Sequence, residues 1–327
     1  MSRWAIGIDL GGTAIKGAVV GEDAGLLKQM TVPTDKSAGP QGIIRQLSSI
    51  IAELYHKASV TLDPADCAGV GMGAPGAVDQ EKGLLSYPPN LPGWGVVALR
   101  EELRFSLQEK ERLSIPVCID NDANAAAYGE AVYGAGRSFR DFLMVTLGTG
   151  VGGGIILNRK LYRGPNGTAG EIGFMIIDFE GHGVHAGIRG TIESMIGKER
   201  IVELAARMVA SSPSGSAAGK FCANDYSRLS PRHLEQAAKE GDEVSLALWN
   251  RVGTILGVGL ANVTALLDIR KFVIGGGIAA AGNFIFDPAL AQIKRSTLQS
   301  MHEGLEVVPA LLGNRAGMIG AAALCFG

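Results

Sequence analysis

The feature that most constrains the fold of this chain of 327 residues is a pattern that occurs twice: an apolar strand, a glycine turn and a second apolar strand. The first copy covers residues 4–20, with Gly11-Gly12-Thr13 at the turn, and the second covers residues 142–157, with Gly148-Thr149-Gly150 at the turn. Short β-branched runs are typical of buried strands, and glycine permits a tight turn between them. A repeated supersecondary unit of this kind predicts two related domains.

The rest of the chain alternates between predicted strands and predicted helices. Helices are predicted at residues 41–57, 124–135, 192–210, 243–268, 288–299 and 316–324, and further strands at residues 67–73, 114–119, 271–278 and 305–312. The opening hairpin is extended by a third strand, residues 26–32, before this alternation begins. Antiparallel strands followed by alternating strands and helices predict an α/β fold with mixed sheets.

Glycine is unusually frequent, with 47 residues, which predicts many tight turns or places where the backbone approaches a ligand closely. Consecutive backbone N–H groups at glycine turns can bind phosphate oxygens. Both hairpin turns and a third glycine turn, Gly275-Gly276-Gly277, are therefore candidate phosphate sites, although ordinary hairpins use glycine too. Asp9 is a candidate to hold a magnesium ion through water and Lys16 to neutralise a phosphate, although a single lysine on a strand is more often solvated.

Three polar residues, Asp120, Asn121 and Asp122, join a predicted strand to an alanine-rich helix. Polar side chains at the carboxyl ends of strands in open α/β sheets lie where ligands usually bind. The alternative interpretation is structural: Asp122 is the N-cap of the helix, Asn121 makes an Asx turn and Asp120 is solvated.

The composition disfavours several classes of partner. The formal net charge is −2, and no run of Lys or Arg suggests a nucleic-acid or membrane-surface patch. No unbroken apolar segment reaches the roughly 18 residues of a membrane span, and no secretion signal precedes the strand at Trp4. We therefore expect a soluble, cytoplasmic protein that binds neither nucleic acid nor membrane.

Seven motifs resemble, in their order, those of the ROK family of sugar kinases (repressor, open reading frame, kinase), which belongs to the actin/hexokinase/Hsp70 superfamily. They are Asp9-Leu10-Gly11-Gly12-Thr13-x-x-Lys16, Gly73-Ala74-Pro75-Gly76, Asn90-Leu91-Pro92-Gly93-Trp94, Asn121-Asp122-Ala123-Asn124-Ala125, Gly148-Thr149-Gly150-x-Gly152-Gly153, Gly170-Glu171-Ile172-Gly173 and Gly275-Gly276-Gly277. Each motif is weak by itself. Their specificity lies in the order, which covers essentially the whole chain.

The resemblance implies a two-domain actin-like ATPase (ribonuclease H-like) fold, with mixed sheets and a cleft between the domains for ATP, Mg²⁺ and a hexose. It implies a small domain of residues 1–121 plus 312–327, completed by the last helix, a large domain of residues 122–311, and a homodimer. Asp122 would be the base that takes the proton from the 6-hydroxyl of the sugar. The residues implied to bind the sugar are Gly76, Asn90, Asn121, Asp122, Glu171 and Glu193; those implied to bind ATP and its magnesium are Asp9, Gly11, Gly12, Thr13, Lys16, Gly148, Thr149, Gly150, Gly275, Gly276 and Gly277.

The chain departs from the family at its zinc site. Most members follow Gly-Glu-Ile-Gly with a histidine and then supply three cysteines in a Cys-x-Cys-Gly-x-x-Gly-Cys-x-Glu run. Here the histidine position is Phe174, and the cysteine positions are Val184, Ala186 and Thr191. We therefore predict no zinc site. Glu193 remains as a sugar contact, and His182 and His185 are interpreted as surface residues of the loop.

The first hypothesis for the function is an ATP-dependent hexokinase of the glucokinase type. Glucose is preferred because Ala77, after Gly76, places no charged group beside C2 of the sugar; an N-acetylhexosamine or fructose is the alternative. A kinase that uses polyphosphate would call for a basic stripe on the surface. A sugar-sensing regulator without kinase activity is a further alternative, for which we would expect a basic helix-turn-helix module before the strand at Trp4.

Overall fold

A computed structural model of the protein describes residues 3–23, 25–212, 215–223 and 225–327. The strands in chain order are β1 (Trp4–Leu10), β2 (Ala14–Gly21), β3 (Leu26–Pro33), β4 (Cys67–Ala74), β5 (Ala77–Asp79), β6 (Leu84–Ser86), β7 (Val96–Val97), β8 (Val117–Asn121), β9 (Phe142–Leu147), β10 (Val151–Leu157), β11 (Lys160–Tyr162), β12 (Val184–His185), β13 (Ile188–Arg189), β14 (Lys271–Gly275) and β15 (Glu306–Pro309). The α-helices are α1 (Gly39–Ser59), α2 (Leu99–Glu111), α3 (Asp122–Tyr133), α4 (Ile192–Ile196), α5 (Lys198–Ala210), α6 (Ala217–Phe221), α7 (Pro231–Lys239), α8 (Glu243–Leu267), α9 (Asn283–Ser296) and α10 (Ala316–Ala323).

The two five-stranded sheets have the same strand arrangement. In the first sheet the order is β3-β2-β1-β4-β8; β1, β2 and β3 are antiparallel, and β4 and β8 are parallel to β1. In the second sheet the order is β11-β10-β9-β14-β15, with β14 and β15 parallel to β9. Each sheet therefore begins with a glycine hairpin and is completed by two strands that follow helices. The predicted α/β fold with mixed sheets is confirmed.

Contacts between residues divide the chain into two compact units. The first consists of Met1–Arg140, Gly154–Gly170 and Leu311–Gly327, and the second of Asp141–Gly153 and Glu171–Ala310. This division assigns α3 to the first unit, whereas the sequence-based boundary between residues 121 and 122 falls just before this helix. The predicted domains, 1–121 with 312–327 and 122–311, stay a prediction.

Strand β1 has a packed layer on each face, because successive side chains of a strand point to opposite sides. Trp4, Ile6 and Ile8 are buried in the main core of the first unit, together with apolar residues of α1 and α2. Ala5 belongs to a smaller cluster that includes Met318 of α10. Helices α1 and α2 therefore cover one face of the first sheet, and α10, which packs on α3, covers the other.

Glycines within the strands let α10 lie directly on the sheet. A Cβ atom at Gly7 would lie 1.8 Å from the carbonyl oxygen of Met318, and one at Gly71 would lie 1.7 Å from that of Ala321. Any side chain at these two positions would collide with the backbone of α10. The abundance of glycine thus serves helix packing, a use that we did not expect beside turns and ligand contacts.

The buried carboxylate of Glu130, in α3, joins separate backbone segments. It accepts hydrogen bonds from the N–H groups of Ala135 at 2.7 Å, Leu311 at 3.1 Å and Leu312 at 2.7 Å. These donors replace the water that the carboxylate loses on burial. The segment that leads into α10 is therefore held to the end of α3.

The second unit is built around α8, a helix of 25 residues that packs against α9, α5, α4 and α7. A Cβ atom at Gly253 would lie 2.4 Å from the carbonyl oxygen of Ile285, so glycine permits the close crossing of α8 and α9. By length and composition α8 is able to cross a membrane, but 56% of its most apolar window is buried in the protein. The core helix of a globular protein meets the same test.

The single helix predicted over residues 192–210 is wrong, because the chain breaks at Gly197 into α4 and α5. Gly197 is extended, with φ −60° and ψ 153°, and its N–H donates to the carbonyl oxygen of Glu193 at 2.8 Å. The low helix propensity of glycine favours a break at this position. After the break, the N–H of Lys198 donates to the carbonyl oxygen of Gly148 at 3.3 Å and so supports the second glycine turn.

Candidate active site

The carboxyl ends of three parallel strands lie side by side in the first sheet. Asp9 of β1 pairs with Gly73 of β4, and Gly73 pairs with Asp120 of β8. Adjacent strands are about 4.8 Å apart, so Asp9 and Asp120 are separated by roughly 10 Å along this row. Asp9 therefore shares one edge of the sheet with Asn121 and Asp122, the residues that follow Asp120.

Asn121, and not Asp122, is the N-cap of α3. Its side-chain oxygen accepts from the N–H groups of Ala123 at 2.9 Å and Asn124 at 3.2 Å, and its amide nitrogen donates to the carbonyl oxygen of Gly76 at 3.1 Å. The interpretation of Asp122 as the N-cap is wrong, because the chain is extended at Asn121 and Asp122 is already helical. Asp122 is half-buried, and its Oδ1 accepts from the N–H of Ala123 at 2.8 Å.

The interpretation of Asp120 as a solvated residue is also wrong, since only 2% of it is exposed. Its Oδ2 accepts from both Nε and Nη2 of Arg163, each at 2.7 Å. Its Oδ1 accepts from Asn124 Nδ2 at 2.9 Å and from the N–H of Asn121 at 2.8 Å. Both oxygens are therefore occupied in a buried ion pair that is fully hydrogen-bonded.

The first glycine turn, Gly11-Gly12-Thr13, lies against Asn90. The N–H of Gly11 donates to the carbonyl oxygen of Ala14 at 3.1 Å, within the hairpin. A Cβ atom at Gly12 would lie 2.6 Å from the Cβ atom of Asn90 and 2.9 Å from its carbonyl oxygen. Gly12 has no positive φ, so space is the reason for glycine here. The turn and one predicted sugar ligand are thus neighbours.

Asp9 and Lys16 face each other across the first hairpin. They are paired in the register of β1 and β2, and Lys16 Nζ lies 3.0 Å from Asp9 Oδ2. The side chain of Lys16 is 37% exposed and paired, so it is not simply solvated. A Cβ atom at Gly317 would lie 3.0 Å from Asp9 Cγ, which shows that α10 leaves just enough room for this carboxylate. The pair places an oxygen ligand of the kind that Mg²⁺ prefers, and a positive charge, beside the first turn.

The second glycine turn, Gly148-Thr149-Gly150, lies against Glu193. The N–H of Gly148 donates to the carbonyl oxygen of Gly150 at 2.9 Å, and a Cβ atom at Gly148 would meet nothing within 4 Å. A Cβ atom at Gly150 would lie 2.7 Å from Glu193 Oε2, an oxygen that also accepts from the N–H of Val151 at 2.7 Å. A predicted sugar ligand therefore lies beside this turn too.

The other oxygen of Glu193 is in contact with His185. His185 Nε2 lies 2.6 Å from Glu193 Oε1, a distance at which the ring N–H donates to the carboxylate, and the ring centroid lies 5.9 Å from that of Phe174. The side chain of His185 is 42% exposed, as its interpretation as a surface residue expects, although its ring is paired with Glu193. His182 is 72% exposed and bonds to Asp178, as that interpretation expects for a loop histidine.

Four residues occupy the positions of the family's zinc ligands, and here they have other structural roles. Thr191 is buried, and its hydroxyl caps α4; Phe174 packs beside the histidine ring described above. Val184 lies in β12, and Ala186, with φ 49°, lies in the turn that follows this strand. The family's zinc ligands are thiolates and an imidazole, and none of these four side chains supplies either group.

Glu171 and Glu193 lie close enough for their charges to interact. Partial burial raises the pKa of the Glu171 carboxyl above its usual value, and the negative charge of Glu193 adds to this effect. Solvent still reaches part of the Glu171 side chain. The second unit therefore holds two carboxyl groups suited to hydrogen bonds with hydroxyl groups.

The third glycine turn, Gly275-Gly276-Gly277, follows β14 next to the end of β9. Gly275 pairs with Thr146, and a Cβ atom at Gly276 would lie 2.2 Å from the carbonyl oxygen of Leu147. Gly276 also has φ 88°, so this position needs glycine for both space and conformation. A Cβ atom at Gly277 would meet nothing within 4 Å, which leaves the turn open on that side.

A groove of about 430 Å³ runs along α5 from the second glycine turn. It begins at Lys198, the residue whose N–H bonds to Gly148. Residues that line the groove include Lys198, Glu199, Val202, Glu203, Tyr226 and Leu229. The groove is lined by alkyl groups, one aromatic ring and charged side chains at Lys198, Glu199 and Glu203.

Two residues of this site escape sequence reasoning. Arg163 lies 43 positions from Asp120, and no local pattern marks it as the partner of that carboxylate. The pairing of His185 with Glu193 also has no local signal, since β12 and β13 are joined by Ala186-Gly187 and alanine is not among the residues that favour the first position of such a turn.

Three comparisons place the chain among known proteins. A family model described as "ROK family" matches residues 5–326. The chain is 32% identical over 322 residues to the glucokinase of Halalkalibacterium halodurans, covering 97% of this chain and 93% of that relative. It is 28% identical over 326 residues to the xylose repressor of Caldicellulosiruptor bescii, covering 98% of this chain and 77% of the repressor. A crystal structure of a ROK family glucokinase from Streptomyces griseus in complex with glucose and AMPPNP is similar with a TM-score of 0.81 and 31% identity, covering 98% of both chains.

The repeated hairpin sheets and the three glycine turns define the class: the fold is that of the actin-like ATPases, and the protein is a hexokinase-type sugar kinase. The chain belongs to the ROK family.

Proposed function

We propose that this protein transfers the γ-phosphoryl group of ATP to the 6-hydroxyl of a hexose, with glucose as the preferred substrate and Asp122 as the general base. The hydroxyl proton passes to the Asp122 carboxylate while the sugar oxygen forms its bond to the γ-phosphorus. The bond from that phosphorus to the bridging oxygen breaks, and ADP leaves with the electron pair.

The proposal rests on the different surroundings of two neighbouring carboxylates, those of Asp120 and Asp122. Both oxygens of Asp120 are occupied by Arg163, Asn124 and a backbone N–H, so Asp120 is a structural anion. Asp122 is half-buried in the first turn of α3, at the sheet edge that it shares with Asp9, and its Oδ1 accepts from the N–H of Ala123. Because Asn121 is the cap, Asp122 is not needed to begin the helix.

The nucleotide side of the proposal rests on the three glycine turns. In each of the first two turns one N–H, that of Gly11 or Gly148, already donates to a carbonyl oxygen of its own hairpin. The candidates for phosphate contact are therefore the remaining N–H groups of the turns and the open surfaces of Gly148 and Gly277. Asp9 would hold Mg²⁺ through water, and Lys16 would balance phosphate charge. The magnesium ion supplies charge neutralisation to the phosphates when it is bound. The groove along α5 would take the adenine.

The sugar side of the proposal assigns the hexose to the polar groups that the family resemblance implies. They are Gly76, Asn90, Asn121, Asp122, Glu171 and Glu193. The preference for glucose is supported by the glucokinase relatives and by the uncharged residue at position 77. An N-acetylhexosamine or fructose as the sugar, and polyphosphate as the donor, stay alternatives, as does a sugar sensor without kinase activity, because the chain also matches repressors. The homodimer stays an expectation from the family resemblance, and the cytoplasmic location stays an expectation from the sequence.

The test of the base is Asp122→Asn. The substitution keeps the shape of the side chain and leaves the Asn121 cap in place, so the fold should stay intact while turnover falls about 10²–10⁴-fold and the affinity for glucose changes little. Turnover is followed by coupled ADP release and the fold by thermal melting. A well-folded Asp122→Asn variant with full activity would end the assignment.

Asp120→Asn is the matched control, since it makes the same chemical change two residues away. It leaves Arg163 without its anion, so we expect a loss of stability of about 2 kcal/mol or more. Its turnover, measured at a temperature where it is folded, should stay far above that of Asp122→Asn. If the two phenotypes were exchanged, Asp120 would be the base.

The metal prediction is that the purified protein contains no stoichiometric zinc, because the replacing side chains cannot ligate it. Elemental analysis near one zinc per chain would contradict this. EDTA should abolish activity by removing Mg²⁺ and leave the melting temperature unchanged.

A further inference from the structure

Both oxygens of Glu193 are held by the protein, each by a different group. Oε2 accepts from the N–H of Val151, at the start of β10, and Oε1 lies 2.6 Å from His185 Nε2. The remaining lone pairs of the two oxygens are available to hydroxyl donors, because an ionised carboxylate has about four acceptor sites. The orientation of this acceptor therefore depends on one fixed backbone donor and one side-chain donor.

The side-chain donor is itself held in place. His185 ends β12, which pairs with β13 through Val184 with Arg189 and His185 with Ile188. The connecting residues, Ala186 and Gly187, have φ 49° and 79°, the conformation of a tight two-residue turn that matches the twist of a hairpin.

The ring of Phe174 limits the movement of the imidazole from another direction. The two centroids are 5.9 Å apart and the rings are inclined at 51°. Phe174 follows Glu171, the second carboxyl group of this region, by only three residues. The hairpin, the phenyl ring and the histidine thus form one support behind Glu193.

We propose that His185 is a positioning residue for sugar specificity: it orients Glu193 so that the free lone pairs of this carboxylate accept hydrogen bonds from the hydroxyl groups of the hexose. This inference rests on the proposed function, since it assigns the hexose to Glu193. Among the contacts described above, the titratable groups that face Glu193 are His185 and Glu171, and the N–H of Val151 is its backbone donor.

The chemistry of the support has a consequence for the kinetics. Glu193 stays held by Val151 when His185 is removed, so the fold is retained, but the carboxylate gains freedom to rotate about that single bond. Binding of the sugar then has to order the carboxylate, and this costs free energy. The cost is the same in the ground state and the transition state, so the affinity for the sugar falls in both. The expected signature is a raised KM for the hexose with kcat nearly unchanged.

The test compares His185→Ala and His185→Gln with the wild type. Gln places an amide N–H close to the position of Nε2 without a charge, so it should restore what Ala removes. We expect His185→Ala to raise the KM for glucose about 10-fold or more, with the KM for ATP and the melting temperature near wild type, and His185→Gln to recover most of the loss. His182→Ala, a histidine of the same loop that bonds only to Asp178 among the contacts described above, is the matched control and should behave as wild type.

A second readout separates this inference from the proposed function. The Kd for glucose, measured by calorimetry without nucleotide, should rise with the KM in His185→Ala. If the wild type phosphorylates no hexose and binds no glucose, the proposed function fails. If the wild type is active and His185→Ala has an unchanged KM and Kd for glucose, or if His185→Gln is as impaired as His185→Ala, the positioning role is overturned and the function stands.

Discussion

The two glycine hairpins have the same backbone plan but different chemical surroundings. In the first, Gly12 makes room for Asn90; in the second, Gly150 makes room for Glu193. Neither glycine has a positive φ, so in both turns glycine is needed because a polar side chain comes close, and not because the turn is strained. Each turn thus has a glycine where it contacts a candidate sugar ligand, although Gly12 and Gly150 are not at corresponding positions of the repeat.

The difference lies in charge. The first hairpin has Asp9 paired with Lys16 across its strands, 3.0 Å apart. When the two hairpins are superposed by sequence, the corresponding positions of the second are Thr146 and Gly153, which carry no charge. The comparison teaches that the turn makes room for a polar side chain in both hairpins, whereas at these paired strand positions opposite charges are found in the first hairpin and not in the second.

Among the substitutions that test this comparison of the hairpins, the largest effect should come from removing the charge of Asp9. Asp9→Asn removes the carboxylate that would hold Mg²⁺ through water. We expect kcat/KM to fall about 10–100-fold, the usual cost of removing a group that hydrogen-bonds to a ligand of a metal ion, here a water molecule. Thr146→Val, the matched change in the second hairpin, should stay close to wild type. Coupled ADP release at several Mg²⁺ concentrations measures both. An equal loss in the two variants would make the hairpins chemically equivalent.

A smaller effect is expected on stability, because an added methyl group would meet different neighbours in the two turns. In Gly12→Ala the new methyl group meets the backbone of Asn90, which cannot move alone, so we expect a loss of stability of about 1–3 kcal/mol. In Gly150→Ala it meets only the carboxylate end of Glu193, so stability should change less while the KM for glucose rises.

Gly148→Ala is the control for this pair, because its methyl group would meet nothing within 4 Å. Its melting temperature should equal that of the wild type, and any defect should appear in the KM for ATP. Denaturant unfolding and steady-state kinetics distinguish the three variants. Equal destabilisation by Gly12→Ala and Gly148→Ala would show that space is not what these glycines provide.

The smallest effect concerns the pH dependence of stability in the second unit. The pKa of Glu171 is raised in the folded protein above its ordinary value of 4.5, so the folded state holds this proton more tightly than the unfolded chain does. Its contribution is therefore most favourable below pH 4.5 and is lost as the pH rises through the folded pKa. Glu171→Gln should be more stable relative to wild type at pH 7 than at pH 4, by a small amount because solvent reaches the side chain.

Thermal melts between pH 4 and pH 8 measure this, with Glu240→Gln, an exposed carboxylate after α7, as the control. A pH dependence of Glu171→Gln identical to that of the wild type would show that the burial of Glu171 and the charge of Glu193 do not act on its proton.

The sequence predicts the architecture well because the hairpin repeat, the helical periodicity and the glycine turns are local patterns. It cannot distinguish the roles of Asp120, Asn121 and Asp122, since those are decided by where β8 stops and by Arg163, which approaches from a distant loop. The break at Gly197 was visible as a glycine in a helical pattern, but the bond from the next residue, Lys198, to the second turn could not be predicted from the sequence. Gly7 and Gly71 could not be recognised as helix-packing positions because α10 lies about 250 or more residues further along the chain.

The bond from Glu130 to the segment before α10 has a consequence for biosynthesis. The strands of the first sheet leave the ribosome early, yet the helix that covers one face of them is made roughly 300 residues after β1, on the order of 15–60 s later at ordinary elongation rates. Until α10 is made, Glu130 lacks two of the three hydrogen-bond donors described above, those of Leu311 and Leu312. The face of the sheet at Gly7 and Gly71, which α10 later covers, is then open to any other apolar segment. The nascent protein therefore has a period in which chaperone binding to this face would protect it from aggregation.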